Sequence, residues 1–141
     1  MRRGRRDQGN AVVEVALLAP VLLVPLVWAA IAIAMAVSAQ GAVISAARQS
    51  ARAYVLSPNP VLGGQAARRV ASAVVARDGR NLARPVVTIA CVPVQCLAAN
   101  GRVDVTVTTS VTLGFLPLPF AKTPTITLSA TQSALVDPFR G

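Results

Sequence analysis

Residues 11–37 form an apolar run of twenty-seven residues in which Glu14 is the only charge, and four arginines stand just ahead of it (Arg2, Arg3, Arg5 and Arg6). As a helix this run measures about 40 Å, against roughly 30 Å for a bilayer core. It can therefore span a membrane, tilted or with its ends outside the hydrocarbon. Arginines clustered before a span mark the cytoplasmic side, so the N-terminus is expected inside and the chain from Gln40 onward outside. Glu14 is out of place in a plain anchor. A carboxylate near mid-span costs on the order of 2.5–3.5 kcal/mol on insertion scales, and such a group asks for a partner.

Counting back from Glu14 supplies a candidate partner. Glu14 is the fifth residue after Gly9. A cut between Gly9 and Asn10 would create an α-amino group at Asn10, close to the Glu14 carboxylate of its own or a neighbouring chain. Pro20 and Pro25 lie further along the run and are expected to kink or loosen the helix. A basic leader, Gly9, Glu14, Pro20 and a long apolar helix together resemble the type IV prepilin processing signal. The string RRDQGNAVVEVALLAPVLL resembles one branch in particular, the TadE-like pseudopilins of the tight-adherence (Tad, or Flp) pilus system. The resemblance implies a prepilin peptidase that recognises Gly9 and leaves Asn10 as the new N-terminus. It implies that Glu14 neutralises a neighbour's N-terminal amine, and that Pro20 is the kinking proline of such helices. It also implies other pilins and pilus assembly proteins as partners of the N-terminal helix.

Two other readings of this stretch stay open. One is an ordinary signal-anchor with Glu14 reaching the interface; the head would then be an envelope binding module. The other is a cleaved secretory signal, since Val37, Ser38 and Ala39 before Gln40 have the small-residue form of a cleavage site. The run is longer than the roughly 7–15 residues of a signal's apolar core and carries Pro20, Pro25 and Glu14.

Helical signal continues past the span to about Leu56. Val43, Ala47, Ser50, Ala51 and Tyr54 fall on one face, and Ser45, Arg48, Gln49 and Arg52 on the other. Pro58 and Pro60 stop this helix. A second helix is expected over about 64–77, with Ala66, Ala67, Val70, Ala73 and Val74 as its apolar face and Arg68 and Ser72 opposite. A turn follows at 78–81. From Arg84 the period becomes two. Residues 86–92 are rich in Val, Thr and Ile. In residues 102–113, Val103, Val105, Val107, Val111 and Leu113 share a face that only Thr109 interrupts. Residues 114–124 hold three prolines and read as a loop. Residues 125–136 alternate again, with Ile126, Leu128, Ala130, Ala134 and Val136 together. The expected fold is α+β and pilin-like: a long transmembrane helix, a short second helix and a small antiparallel sheet. The expected organisation is a leader (1–9), a span (10–38), an extracytoplasmic continuation (39–56) and a head (57–141). This places the chain in the cytoplasmic membrane as a single pass, in or at the base of a pilus.

The net charge is +9, falling to +6 if residues 1–9 are lost with their four arginines and Asp7. The remaining cations are scattered along the chain and aromatics are few, so nucleic acid is not expected as a partner. Anionic envelope polymers, lipid head groups or acidic partners suit a positive exterior better, beside the plainer reading of a solvated surface. Cys91 and Cys96 flank Val-Pro-Val-Gln. In an oxidising exterior they can pair, contributing roughly 2 kcal/mol by chain entropy; free thiols are the alternative. There is no His in the chain, which removes the commonest general base, and two cysteines are too few to hold zinc. The five acids form no evident pair, and no phosphate loop or nucleophile motif is present. No catalysis, metal or cofactor is expected.

Overall fold

The structure is a computed structural model that describes residues 7–78, 81–112 and 124–139, with side chains in the first helix from Val15 onward. Leu113 and most of the turn and loop expected at 78–81 and 114–124 lie outside those residues. The elements are α1 (Asp7–Val55), α2 (Pro60–Asp78), β1 (Val86–Val92), β2 (Arg102–Thr112) and β3 (Thr125–Leu135). The architecture is α+β and pilin-like. Two compact units are present, Met1–Met35 and Ala36–Gly141, and α1 contributes to both.

At 49 residues, α1 is about 73 Å long and stays helical through Pro20 and Pro25. Within the second unit its buried stripe is Ala39, Ala42, Val43, Ala46, Ala47, Ser50, Ala51 and Tyr54. Steps of three and four residues keep these positions on one side of a 3.6-residue helix. Arg48, Gln49 and Arg52 lie on the exposed side. The helix ends where Ser57 turns back: its Oγ donates to the Ala53 carbonyl at 2.8 Å, and its N–H donates to the Tyr54 carbonyl at 3.1 Å.

The second helix begins four residues earlier than the pattern of apolar residues suggests. Pro60 opens it, because proline's fixed φ and missing N–H suit the first helical position. Asn59 caps it, its Oδ1 accepting the Leu62 N–H at 2.9 Å. The buried face is Ala67, Ala71, Val74 and Val75, with Ala66 and Val70 half-buried. Ala73, expected on that face, is exposed. The helix is rotated so that Gly63 meets α1. A Cβ at Gly63 would lie 3.0 Å from the Tyr54 ring and 3.1 Å from its carbonyl oxygen, so only glycine fits there without displacement. One turn on, Ser50 Oγ donates to the Ala67 carbonyl at 3.0 Å, a buried hydrogen bond between the two helices.

The sheet is an antiparallel meander in the order β1-β2-β3. Its inner face rests on the helices. Val103, Val105 and Val107 of the central strand are fully buried and join Val43, Ala47, Ala71 and Val75 in one core. Each such valine contributes about 1.5–3 kcal/mol of transfer free energy. Register sets Val87, Ile89 and Cys91 beside Val107, Val105 and Val103 on one side. Ala130, Gln132 and Ala134 flank the same three valines on the other. Thr109 breaks the apolar row without leaving a polar group unpaired: its Oγ1 donates to the Ala83 carbonyl at 2.6 Å, where Leu82 bridges to Val111. Ile126 has the inner register, opposite Val111, but is 39% exposed.

The outer face is a field of hydroxyls. Thr106 and Thr131 share a hydrogen bond at 2.7 Å. Asp104 accepts from Ser133 Oγ at 2.5 Å and pairs with Arg102 at 3.3 Å. At one end of the sheet, Gly101 closes the turn into β2. Its carbonyl accepts the Val136 N–H at 2.8 Å, and a side chain on it would press on the Ala98 carbonyl oxygen at 2.8 Å.

Candidate functional site

The residues singled out for processing and assembly all fall on α1. Gly9, Asn10 and Glu14 lie in its first turns and Pro20 follows further along. A helical backbone sets positions 10 and 14 one turn apart on one face, about 6 Å from each other. The backbone spacing thus agrees with a charge pair between a residue-10 amine and Glu14, whose side chain is outside the described ones. Gly9 and Asn10 are themselves helical, so a cut between them requires the first turn to open locally.

From Val15 onward the side chains show how apolar this surface is. Val21, Leu22, Leu26, Ile33 and Val37 are each more than 60% exposed. Among the described residues nothing covers them, and the most apolar part of α1 has a mean hydropathy of 2.5. By length and composition α1 can cross a membrane, and it fits a single-pass anchor. The leucine- and valine-rich part gives way after Trp28 to a run rich in alanine, where Ala30, Ala34 and Ser38 are exposed on one stripe. Small residues at such spacing let helices approach closely in lipid.

Cys91 and Cys96 are joined by a disulfide with a Cα–Cα distance of 5.2 Å. Cys91 stands in β1 opposite Val103, and Cys96 lies in the turn that follows. Both are half-buried against the core, and the turn between them carries Val94 at its exposed tip. The bridge therefore ties down the β1–β2 connection. Residues 15–77 contain no Asp or Glu.

The family model described as TadE-like protein matches residues 9–52. No curated protein and no solved structure matches the chain. The matched stretch begins at Gly9, takes in Glu14 and Pro20, and runs through the apolar surface into the buried face of α1. Over that helical third of the chain the sequence is similar to TadE-like proteins.

Proposed function

We propose that the chain is a minor pilin or pseudopilin that assists assembly of a Tad/Flp-type pilus or secretion apparatus. It is a substrate of a prepilin peptidase and has no catalytic role of its own. One observation carries the reading: Gly9, Glu14 and Pro20 stand in register on a single long helix whose apolar side chains are left uncovered. In this reading the leader arginines hold the N-terminus in the cytoplasm and the head lies outside. Cleavage after Gly9 leaves the amine of Asn10 at the start of α1. As subunits dock, Glu14 neutralises the amine of a neighbour, so that neither charge enters the apolar phase alone. The uncovered surface of α1 from residue 11 to its end is the assembly surface.

The test is the intact mass and N-terminal residue of the protein taken from its native membrane. A chain starting at Asn10 supports the reading; one starting at Met1 or at Gln40 overturns it. Glu14→Gln sharpens the role of the acid. It is expected to lower pilus assembly by about tenfold or more, because the docking amine loses its counter-charge. Processing and assembly both at the unaltered level would sink the role assigned to Glu14.

A further inference from the structure

The sheet has two edges, and they are finished differently. β1 is seven residues long, stops against Pro85 and Pro93, and is tied at its end by the Cys91–Cys96 bridge. β3 runs for eleven residues with no charge, proline or glycine among them. Its register with β2 is continuous from Thr125 to Leu135, so no bulge turns the edge aside. Charge, proline, bulges and shortness are the usual means of blunting an edge strand, and β3 uses none of them. The hydrogen bonds show which backbone groups face outward. The Val136 N–H, in register with β3, donates to the Gly101 carbonyl, while the Ser110 carbonyl accepts the Ala83 N–H on the β1 side. Even-numbered residues of β3 therefore bond β2, and the N–H and C=O groups of Thr125, Thr127, Ser129, Thr131, Ser133 and Leu135 face away from it. Among the described residues no strand pairs with that row. Only the Ser129 carbonyl is engaged among them, accepting from Gln40 Nε2 at 3.5 Å. Thr127, Ser129, Thr131 and Ser133 are exposed, whereas their partners in β2 are half-buried.

We infer that the β3 edge takes up an extended segment of a different protein as a fourth strand, one with apolar residues at alternate positions and uncharged polar residues between them. Its backbone completes the ladder that β3 leaves open. The alternation follows from the two faces that the added strand must continue. On the helix side the edge presents Ile126 and Leu128, and Ile44, one turn past Gln40 on α1, is exposed. On the other side it presents Thr127, Ser129 and Thr131. A second copy of this chain fits in neither direction. Antiparallel pairing through the same edge uses a two-fold axis perpendicular to the sheet. The buried stripe of α1 packs along the sheet, so that axis reverses the helix, and the two chains would enter their heads from opposite directions. Copies anchored alike in one membrane cannot do so. Parallel pairing uses an axis along the strands, which turns the sheet over. Ile126 and Leu128 of one copy would then continue the hydroxyl face of the other. The antiparallel exclusion rests on α1 being a membrane anchor, and the edge itself does not depend on the pilin reading.

The test uses the full chain in its native membrane, with a photo-crosslinking residue in place of Thr127 or, separately, of Thr131. Both positions are expected to capture one and the same protein, at sites about four residues apart in a single segment of alternating polarity, as strand register requires. Ser129→Pro removes an outward N–H and none of the bonds to β2, and should lower both adducts by about tenfold or more, while Ser129→Ala retains them. Hydrogen exchange on the unsubstituted chain gives a second measurement that no folding defect can imitate. The N–H groups of Thr127, Ser129, Thr131 and Ser133 should exchange about tenfold or more slowly in the native membrane than in the purified chain in detergent, with Leu128 and Ala130 slow in both. Adducts with a second copy, with lipid alone or at sites out of register overturn the inference, as does equal exchange of the outward groups in the two settings. A crosslinking residue at Leu22 separates the two readings. If it captures pilus subunits while the β3 edge captures nothing, the assembly role stands and this inference falls. In-register adducts from a chain that still starts at Met1 leave the edge inference standing and remove the pilin reading.

Discussion

The two halves of α1 are both apolar, and for different reasons. Up to about Val37 the side chains are large and uncovered, with Leu22 75% and Val37 67% exposed. From Ala39 the helix switches to small residues on one face, and Ala46 and Ala47 are fully buried. The first half is apolar all round, as suits a helix whose surroundings are apolar all round. The second is apolar along one stripe, as suits a helix whose surroundings are half protein and half water. Small residues on this stripe let α2 approach closely at Ala67 and Gly63, while leucine and valine supply surface for lipid or for other helices. One continuous helix thus answers to two solvents, and the changeover shows in side-chain size more than in hydropathy.

The largest effect that would break this comparison comes from placing a charge in each half. Leu22→Arg is expected to cost on the order of 2.5–3.5 kcal/mol of insertion and to release the protein from membranes on carbonate extraction, leaving a folded head. Val43→Asp should do the reverse: the protein stays in the membrane, but the head becomes protease-sensitive, since an unpaired buried charge costs several kcal/mol. If both variants lose insertion, or both lose the head, the division between the halves is wrong.

A smaller effect sharpens the description of the buried half. Gly63→Ala adds a methyl group against the Tyr54 ring and carbonyl, at 3.0 and 3.1 Å. Overpacking costs about 1–3 kcal/mol and the gain in helix propensity returns about 1 kcal/mol. A net loss near 1 kcal/mol is expected in the thermal unfolding of the head, measured on the full chain in detergent. An unchanged midpoint would mean that the two helices are not in close contact there.

The smallest effect is alkaline. Burial pushes the Tyr54 phenol above its ordinary value near 10. The folded state therefore holds this proton more tightly than the unfolded chain does. The contribution is fully present below about pH 10 and is lost as pH rises through the folded value. Head stability should fall as the pH is raised past that point, with the Tyr54 absorbance change coinciding with or following unfolding. In Tyr54→Phe this part of the alkaline loss should disappear.

Much of this arrangement is legible in the chain itself, because regular spacing leaves little choice. Val43, Ala47, Ser50, Ala51 and Tyr54 recur at 3.6 residues, and all five are buried. The valines of β2 alternate cleanly and form the inner row, with Thr109 accommodated by one hydrogen bond to a backbone carbonyl. Legibility fails where alanines surround the helix. In α2, Ala66, Ala67, Ala71, Ala73 and Ala76 leave the rotation of the helix undetermined by hydropathy. The rotation is set by a contact distant in sequence, Gly63 against Tyr54, which places Ala71 and Val75 inside and Ala73 outside. The start of α2 was hidden for a different reason: Pro60 reads as a breaker until Asn59 is seen to cap it.

The bridge between Cys91 and Cys96 has a use beyond holding a turn. Thiols of this kind oxidise outside the cytoplasm and stay reduced within it. Whether the bond forms in the cell therefore records the side of the membrane on which the head matured. Alkylating unreduced protein from intact cells, then repeating the reaction after reduction, turns two residues of β1 and its turn into a topology marker. Thiols blocked until reduction place the head outside, and thiols that react at once place it within.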